Sequence, residues 1–260
     1  MTTTSTCRPS CGTDSAVAVR IRRITTTRAG GVSAPPYDSF NLGDHVGDDP
    51  AAVAANRARL ASAVGLPADH VVWMNQVHSA HVEFVDSPRD QSLDATDALV
   101  TRTPRLALAV VTADCVPVLI ACTETGVVCA VHAGWRGIVA GVVPHAIGAM
   151  RAAHGVRPGG MVAAIGPCIG RDVYEVGPDV AAEFAKVVGD AFVLPAGGGR
   201  AKEHIDCFGA VRSQLVACGI PAESVDGEEL CTVATPREFF SYRRDGARSG
   251  RMASVVVPRR

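Results

Sequence analysis

The sequence predicts a single domain of mixed helices and strands, the α+β class, with its strands close together in the middle of the chain. Three short apolar runs, "LALAVV", "VPVLIAC" and "GVVCAVHAGW", follow one another with only a few residues between them. Such short connections favour strands that are joined directly, without a helix between each pair. Segments with apolar residues at helical spacing lie on both sides, and neither a repeat nor a linker divides the 260 residues.

The first part of the chain predicts a tail, a strand, a long loop and a helix. Residues 1–17 are polar and rich in Thr and Ser, so we expect a disordered tail before one catalytic domain over residues 18–260. "VAVRIRRITTTR" alternates as a strand does, and "AGGVSAPPYDSFNLGDHVGDDP" has the Gly, Pro, Asn and Asp content of a long ordered loop. Asp49 and Pro50 predict the start of a helix over "AAVAANRARLASAVG", and Gly65 its end.

The remaining elements alternate between strand and helix. "HVVWMNQVHSAHVEFV" has the Val, Trp and Phe content of a strand and precedes the three central runs. One helix is predicted over "GIVAGVVPHAIGAMRAAHG", with Pro144 at a kink or near an end. "MVAAIGPCIG" predicts a strand and a turn, and "DVAAEFAKVVG" and "CFGAVRSQLVACG" predict two helices separated by the Gly-rich loop "LPAGGGRAKE".

Composition excludes several classes of partner. Lys and Arg number 25 against 26 Asp and Glu, so no basic excess predicts binding to nucleic acid, and no polybasic cluster predicts binding to a membrane. The nine cysteines are scattered without a CxxC pair, which is typical of a reducing compartment. The N-terminus lacks the apolar region of a secretory signal. We therefore expect a cytoplasmic protein that acts as a monomer.

Polar side chains able to bind a metal stand at the edges of the central strands. Asp114 and Cys115 are adjacent within the apolar stretch "VVTADCVPVLI", His132 ends a strand-like run in "AVHAGWRG", and His78 lies in "WMNQVHSAHV". Two imidazoles and a thiolate form a plausible zinc set with a fourth position open for water or substrate. The spacing also permits inert roles: a buried cysteine as core filler, hydrogen-bonded histidines, and a carboxylate that caps the following turn.

Six motifs together resemble one bacterial family, in their order and spacing: "TTTRAGGVSAPPYDSFNLGDHVGDDP", "WMNQVHSAHV", "VVTADCVPVLI", "AVHAGWRG", "IGPCIG" and "FFSYRRDGARSGRMAS". The sequence resembles the YfiH-like or laccase-domain family, labelled polyphenol oxidase and later recognised as purine nucleoside phosphorylases. The resemblance covers nearly the whole chain. It implies a single domain of mixed β-sheet layers flanked by helices.

The resemblance also implies a metal site and an activity. The ligands would be His78, Cys115 and His132, which hold zinc, or copper at the same three side chains. The implied reaction is phosphorolysis of adenosine, inosine, guanosine and 5'-methylthioadenosine to base and ribose 1-phosphate, with adenosine deamination as a further activity. Two residues depart from the family pattern, Ser79 where Gly is usual and Leu230 where Arg is common. Ser79 is expected to alter the pocket wall.

Phosphorolysis requires a docked phosphate, and guanidinium groups suit that task. Asp114 is expected to orient a metal ligand or to accept a hydrogen bond from the substrate. The residues expected to bind phosphate, ribose or base are Arg28, Asn41, His45, Arg136 and Arg243, with Arg244 as an alternative to Arg243.

Three other functions are alternatives to phosphorolysis. Copper-dependent polyphenol oxidation is disfavoured because multicopper clusters need many imidazoles, whereas the chain has eight histidines and no HxH pair. A metal-free cysteine hydrolase would use Cys115 as nucleophile and His132 or His78 as base, acting on an amide such as that of a cell-wall precursor. A binding protein without enzymatic activity is disfavoured because aromatic residues make up only 5% of the chain.

Overall fold

Two β-sheets packed face to face form the centre of the molecule. The structure, a computed structural model, describes residues 22–258, so the predicted tail at residues 1–17 lies outside the described residues. The strands are β1 (Arg22–Thr25), β2 (Val71–Val72), β3 (Val82–Phe84), β4 (Ala98–Thr101), β5 (Ala107–Thr112), β6 (Val116–Cys122), β7 (Val128–Ala133), β8 (Met161–Ile165), β9 (Val193–Leu194), β10 (His204–Ile205), β11 (Val225–Asp226) and β12 (Met252–Val257). The α-helices are α1 (Pro50–Ala63), α2 (Trp135–Val139), α3 (Val142–His154), α4 (Pro178–Val188), α5 (Cys207–Ala217) and α6 (Tyr242–Asp245).

The three central apolar runs become β5, β6 and β7, as predicted. The larger sheet has six strands in the order β11-β8-β6-β7-β4-β3, and the second has four in the order β1-β12-β5-β2. Strands β6 and β7 are antiparallel neighbours, whereas β5 lies in the other sheet. All residues of β5, β6 and β7 are buried, which explains why their sequences are continuously apolar and do not alternate.

Apolar side chains fill three interfaces between the layers. Leu108 and Val110 of β5 pack in one cluster with Leu119 of β6 and Ala130 of β7, between the two sheets. The outer face of the four-stranded sheet is covered by α1, with Leu60 at its centre. The outer face of the six-stranded sheet is covered by α3 and α5, among other elements. The predicted fold, mixed sheet layers flanked by helices, is confirmed.

Local sequence signals explain where several elements begin and end. The side chain of Asp49 accepts a hydrogen bond from the backbone N–H of Ala51 (2.9 Å), so Asp49 caps α1 and Pro50 is its first residue, as predicted. Among residues 22–258, no helix combines the length and apolar character that a membrane crossing requires.

Two sequence-based element predictions are wrong in part. The single helix expected over residues 137–155 is interrupted between α2 and α3, where Gly141 has φ 78°. Pro144 is then the third residue of α3, where a missing N–H costs nothing. The strand expected over "HVVWMNQVHSAHVEFV" survives only at its ends, as β2 and β3, and the irregular segment between them carries His78.

Candidate active site and metal centre

The antiparallel register of two central strands brings Cys115 next to His132. Cys115 is the residue immediately before β6, and His132 is the penultimate residue of β7. Val116 pairs with Ala133 and Pro117 with His132, so the start of one strand lies beside the end of the other. A separation of 17 residues along the chain therefore becomes direct proximity. No local metal-binding motif encodes it.

His78 reaches the same place from the loop between β2 and β3. Its backbone has φ 62°, in the left-handed region that a non-glycine residue occupies at an energetic cost. The backbone N–H of His78 donates to Oδ1 of Asp97 (3.0 Å), the residue directly before β4. The carbonyl of Asp97 in turn accepts from the backbone N–H of His132 (2.8 Å). One buried aspartate therefore connects both histidines.

The three side chains form a cluster with the composition of a metal site. The candidate ligand atoms of His78, Cys115 and His132 lie within 4.8 Å of one another. Sγ of Cys115 is 3.7 Å from Nε2 of His78, and the two imidazole rings meet edge to face with centroids 4.8 Å apart. His132 is buried whereas His78 is exposed, so one side of the cluster faces the solvent. A thiolate with two imidazoles suits a borderline-soft divalent ion such as zinc.

Gly134 provides the space for this close approach. A Cβ atom at this position would lie 2.6 Å from Cδ2 of His78 and 3.1 Å from Sγ of Cys115. The backbone of Gly134 is extended, with φ −72°, so the glycine is not required by its conformation. It is required because its missing side chain leaves room for two of the three candidate ligands.

Asp97 is a further candidate site residue, which the sequence interpretation missed. Its Oδ1 contacts Nδ1 of His132 (2.8 Å), which leaves Nε2 of the imidazole directed toward the cluster. Its Oδ2 accepts from the hydroxyl and the backbone N–H of Ser79 (both 2.7 Å) and from the backbone N–H of Val77 (3.3 Å). The signal available in the sequence was an aspartate directly before a short apolar run, as at Asp114, and the structure shows this carboxylate to be fully buried.

The charges within the cluster support one another. Burial raises the pKa of Asp97, but hydrogen bonds from His132 and Ser79 outweigh burial and lower this pKa to about 2. Burial likewise raises the pKa of the Cys115 thiol, while its electrostatic attraction to His132 is the main cause that lowers it to about 6. Burial lowers the pKa of His132, whereas the Cys115 thiolate and then Asp97 raise it, with a net rise. The site is therefore suited to a thiolate, the form in which cysteine binds a metal or attacks a carbonyl.

Asp114 holds the C-terminal segment beside the cluster. Its Oδ1 accepts from the hydroxyl of Thr232 (2.5 Å), and its Oδ2 accepts from the backbone N–H of Arg243 (2.6 Å) in the first turn of α6. These contacts of Asp114 do not reach a candidate ligand, and the carboxylate contact to His132 comes from Asp97, whereas the predicted hydrogen bond between Asp114 and the substrate stays a prediction. Asp114, with φ 93°, connects the start of β6 to the C-terminal segment, and it also lines the cleft described next.

A cleft of about 510 Å³ opens over the cluster, a size typical of small-molecule sites. Three arginines line it, each with its guanidinium over an aromatic ring that also lines it. The pairs are Arg136 over Trp135 (4.6 Å), Arg243 over Tyr174 (5.0 Å) and Arg251 over Tyr242 (5.9 Å). The sequence interpretation singled out Arg136 and Arg243 but missed Arg251, which lies in the quoted motif "FFSYRRDGARSGRMAS". Arg243 and Arg251 lie eight residues apart in that motif, and the tertiary structure brings both to the cleft.

The expected substrate-binding residues divide into two groups. His45, Arg136 and Arg243 line the cleft. Arg28 and Asn41 do not, and their predicted substrate contacts are not supported. Arg28 donates to the carbonyls of Asp38 and Pro236 and lies over the ring of Phe240 (4.6 Å).

Asn41 is fully buried within its loop, so it is unavailable to a ribose or base. Arg244, the alternative to Arg243, pairs with Asp245 and donates to the carbonyls of Thr232 and Phe239, and therefore fixes the loop.

Ser79, which stands where the family usually has Gly, was expected to alter the pocket wall, but its side chain has a different contact. Its hydroxyl lies behind the cluster, hydrogen-bonded to Asp97.

The fold and the site together define a class of protein: a two-sheet α+β domain with a Cys-His-His cluster in a cleft lined by arginines. A family model described as "Multi-copper polyphenol oxidoreductase laccase" matches residues 22–259. The chain belongs to this laccase-domain family, which confirms the resemblance seen in the sequence.

The relatives agree with this assignment. The chain is 54% identical over 240 residues to a purine nucleoside phosphorylase of Mycobacterium tuberculosis, which covers 92% of this chain and 93% of the relative. It is 44% identical over 239 residues to a purine nucleoside phosphorylase of Corynebacterium glutamicum, which covers 91% and 94%. The crystal structure of the hypothetical protein YfiH of Bacillus licheniformis matches with a TM-score of 0.86 at 30% identity, over 94% of this chain and 97% of the other.

Proposed function

We propose that this protein is a zinc-dependent purine nucleoside phosphorylase. Its substrates would be inorganic phosphate and adenosine, inosine, guanosine or 5'-methylthioadenosine, and its products the free base and a ribose 1-phosphate. The name that relatives at 54% and 44% identity carry supports the reaction class. Zinc is proposed from the donor set of His78, Cys115 and His132.

One observation carries the proposal: a Cys-His-His cluster and several guanidinium groups face the same cleft. Arg136, Arg243 and Arg251 make no salt bridge to a carboxylate within residues 22–258. Unpaired cationic groups in a confined cleft attract anions. The cleft therefore suits a reaction between an anion and a second, neutral molecule, as phosphorolysis is.

In this reaction an oxygen of phosphate forms a bond to C1' of the ribose, and the bond between C1' and the purine nitrogen breaks. The departing base takes the electron pair and acquires a proton. The chain's contribution is to hold the phosphate with guanidinium groups and to enclose the purine between Trp135, Tyr174 and Tyr242, whose rings line the cleft. Bound zinc would supply a Lewis acid at the three ligands.

Adenosine deaminase activity is proposed as a second, hydrolytic reaction of the same site, since a cleft that binds adenosine for phosphorolysis also holds the amino group that deamination removes.

We also propose that the protein acts in the cytoplasm. The seven cysteines between residues 22 and 258 are all free thiols, which is the state expected in a reducing compartment.

The test is to incubate the purified, zinc-loaded protein with adenosine, with and without phosphate, and to separate the products by chromatography. Adenine and ribose 1-phosphate are expected only with phosphate, and inosine would report deamination independently. Cys115→Ala should abolish product and reduce the zinc content. Cys218→Ala is the matched control, because Cys218 is a half-buried thiol at the end of α5 that does not line the cleft. Full zinc content and activity in Cys115→Ala would refute the proposal.

A second candidate, a cysteine hydrolase acting on an amide, is favoured by one specific feature. Cys115, His132 and Asp97 have the order of nucleophile, base and orienting carboxylate that such enzymes use. The position of His78 disfavours the hydrolase. A cysteine hydrolase needs one base, whereas a second imidazole 3.7 Å from the sulfur of Cys115 is typical of a metal site. Trapping of an acyl-enzyme in metal-free protein would support the hydrolase.

Copper could occupy the same three ligands, as the family's name suggests. Within residues 22–258, however, the structure forms a single cluster of three such donors. A trinuclear copper centre needs many more imidazoles. Metal analysis of protein purified from cells grown with both metals distinguishes zinc from copper.

A further inference from the structure

We propose that Arg251 is the anchor of inorganic phosphate in the cleft and that Asn41 is its positioning residue. Calling the anion phosphate rests on the proposed function. The binding site itself is argued from the arrangement of the Arg251 side chain. Arg251 is the residue directly before β12, and its side chain lines the cleft above the Cys-His-His cluster.

One edge of the Arg251 guanidinium is held by the protein and the other is open. Nη1 donates to the carbonyls of Ser249 (2.7 Å) and Gly250 (3.1 Å). Nε and Nη2 make no hydrogen bond to any of residues 22–258. These two groups form the edge with two parallel N–H bonds, which matches two oxygens of a phosphate.

The charge of Arg251 has no carboxylate partner in the described part of the chain, although the side chain is half-buried. Burial makes the charged form of this guanidinium costly and lowers its pKa, while the Cys115 thiolate and then the Asp114 carboxylate act in the opposite direction. A bound anion would offset that cost. The other two arginines of the cleft, Arg136 and Arg243, are exposed and can move with less loss of solvation.

Asn41 and Gly43 fix the position of Arg251 from below. Oδ1 of Asn41 accepts from the backbone N–H groups of Arg251 (2.9 Å) and Gly43 (3.0 Å). A Cβ atom at Gly43 would lie 2.6 Å from Cγ of Arg251, so the arginine stem packs directly on this glycine. The loop motif "NLGDH" therefore contributes to the cleft by holding a distant arginine, which explains how Asn41 can matter without touching substrate.

The experiment measures binding of inorganic phosphate by calorimetry and, separately, the KM values for phosphate and adenosine. Arg251→Met should weaken phosphate binding by about 10- to 100-fold, the worth of one or two charge-assisted hydrogen bonds, while the KM for adenosine changes far less. Arg251→Lys keeps the charge but not the parallel N–H pair and should lie between. Asn41→Ala should raise the phosphate KM in the same selective way. Arg248→Met is the matched control, an exposed arginine of the same segment that does not line the cleft.

The outcomes separate this inference from the proposed function. If wild-type protein binds phosphate through Arg251 but releases no base, the phosphorylase proposal is wrong and the anion site stands. If adenosine phosphorolysis occurs and Arg251→Met and Arg251→Lys keep the wild-type phosphate KM, the anchor is elsewhere and this inference is overturned. If Arg251→Met does not fold, Arg251→Lys with unchanged phosphate affinity would overturn it equally.

Discussion

Replacing Asp97 with Asn should loosen the candidate metal centre more than any other isosteric change outside the three ligands. The carboxylate is fully buried and makes five hydrogen bonds, to three backbone N–H groups, the hydroxyl of Ser79 and Nδ1 of His132. An amide of the same shape can accept on one oxygen only. Both carboxylate oxygens of Asp97 accept hydrogen bonds, so the NH₂ group of the asparagine would face N–H donors in either orientation of the side chain.

The magnitude follows from those two orientations. With the NH₂ at the Oδ2 position, the N–H groups of Val77 and Ser79 are left without an acceptor. With the NH₂ at the Oδ1 position, the N–H of His78 loses its acceptor, and the amide would donate to Nδ1 of His132 and move the imidazole proton to Nε2. Each orphaned buried N–H costs about 1–3 kcal/mol, so we expect a loss of about 3 kcal/mol in the free energy of unfolding. Loss of an orienting partner should also weaken zinc binding about 10- to 100-fold.

The assay has two independent readouts. Urea unfolding of metal-free protein gives the free energy of unfolding, and competition with a chromophoric chelator gives the zinc affinity. Ser79→Ala removes one of the five hydrogen bonds and should cost about 1 kcal/mol. Asp94→Asn is the matched control, an exposed aspartate three residues earlier in the chain. The reasoning is refuted if Asp97→Asn lies within 0.5 kcal/mol of wild type, as surface changes do, and also keeps the wild-type zinc affinity.

Three further results are expected. Gly134→Ala should weaken zinc binding with little effect on far-ultraviolet circular dichroism, because the new Cβ would contact His78 and Cys115 and not the core. Unchanged zinc affinity would contradict this prediction. Removal of zinc by a chelator should lower the melting temperature of wild type but not of Cys115→Ala, since a ligand that binds only the folded state stabilises by about 4 kcal/mol at 1,000 times its Kd. A hydrogen bond with His45 and the attraction of Arg57 lower the pKa of Asp44 to about 2. The stabilisation of the folded state by ionised Asp44 should therefore be present above about pH 4 and lost as the pH falls toward 2. This carboxylate is half-exposed, so the difference in unfolding free energy between wild type and Asp44→Asn should stay below about 1 kcal/mol and should shrink as the pH falls; a pH-independent difference would count against it.

Local patterns in the sequence predicted much of the fold. The continuous apolar runs of β5, β6 and β7 indicated buried strands, and Asp49 with Pro50 marked the start of α1, because these signals depend on neighbours in the chain. The predicted helix over residues 137–155 failed at Gly141, whose left-handed backbone no apolar period reveals. The ligand set was implied by the family motifs, and the clustering of the three side chains agrees with it.

The sequence by itself identified the candidate residue types: a thiol and two imidazoles beside apolar strands, and several guanidinium groups within the family motifs. The tertiary structure decided which of them share one cleft. In the folded protein, Asp97 is hydrogen-bonded to both histidines. Arg28 and Asn41 lie outside the cleft, whereas Arg251, near the C-terminal end of the chain, lines it. The physical reason is that strand register and loop packing set distances between residues far apart in sequence, and no spacing along the chain encodes them.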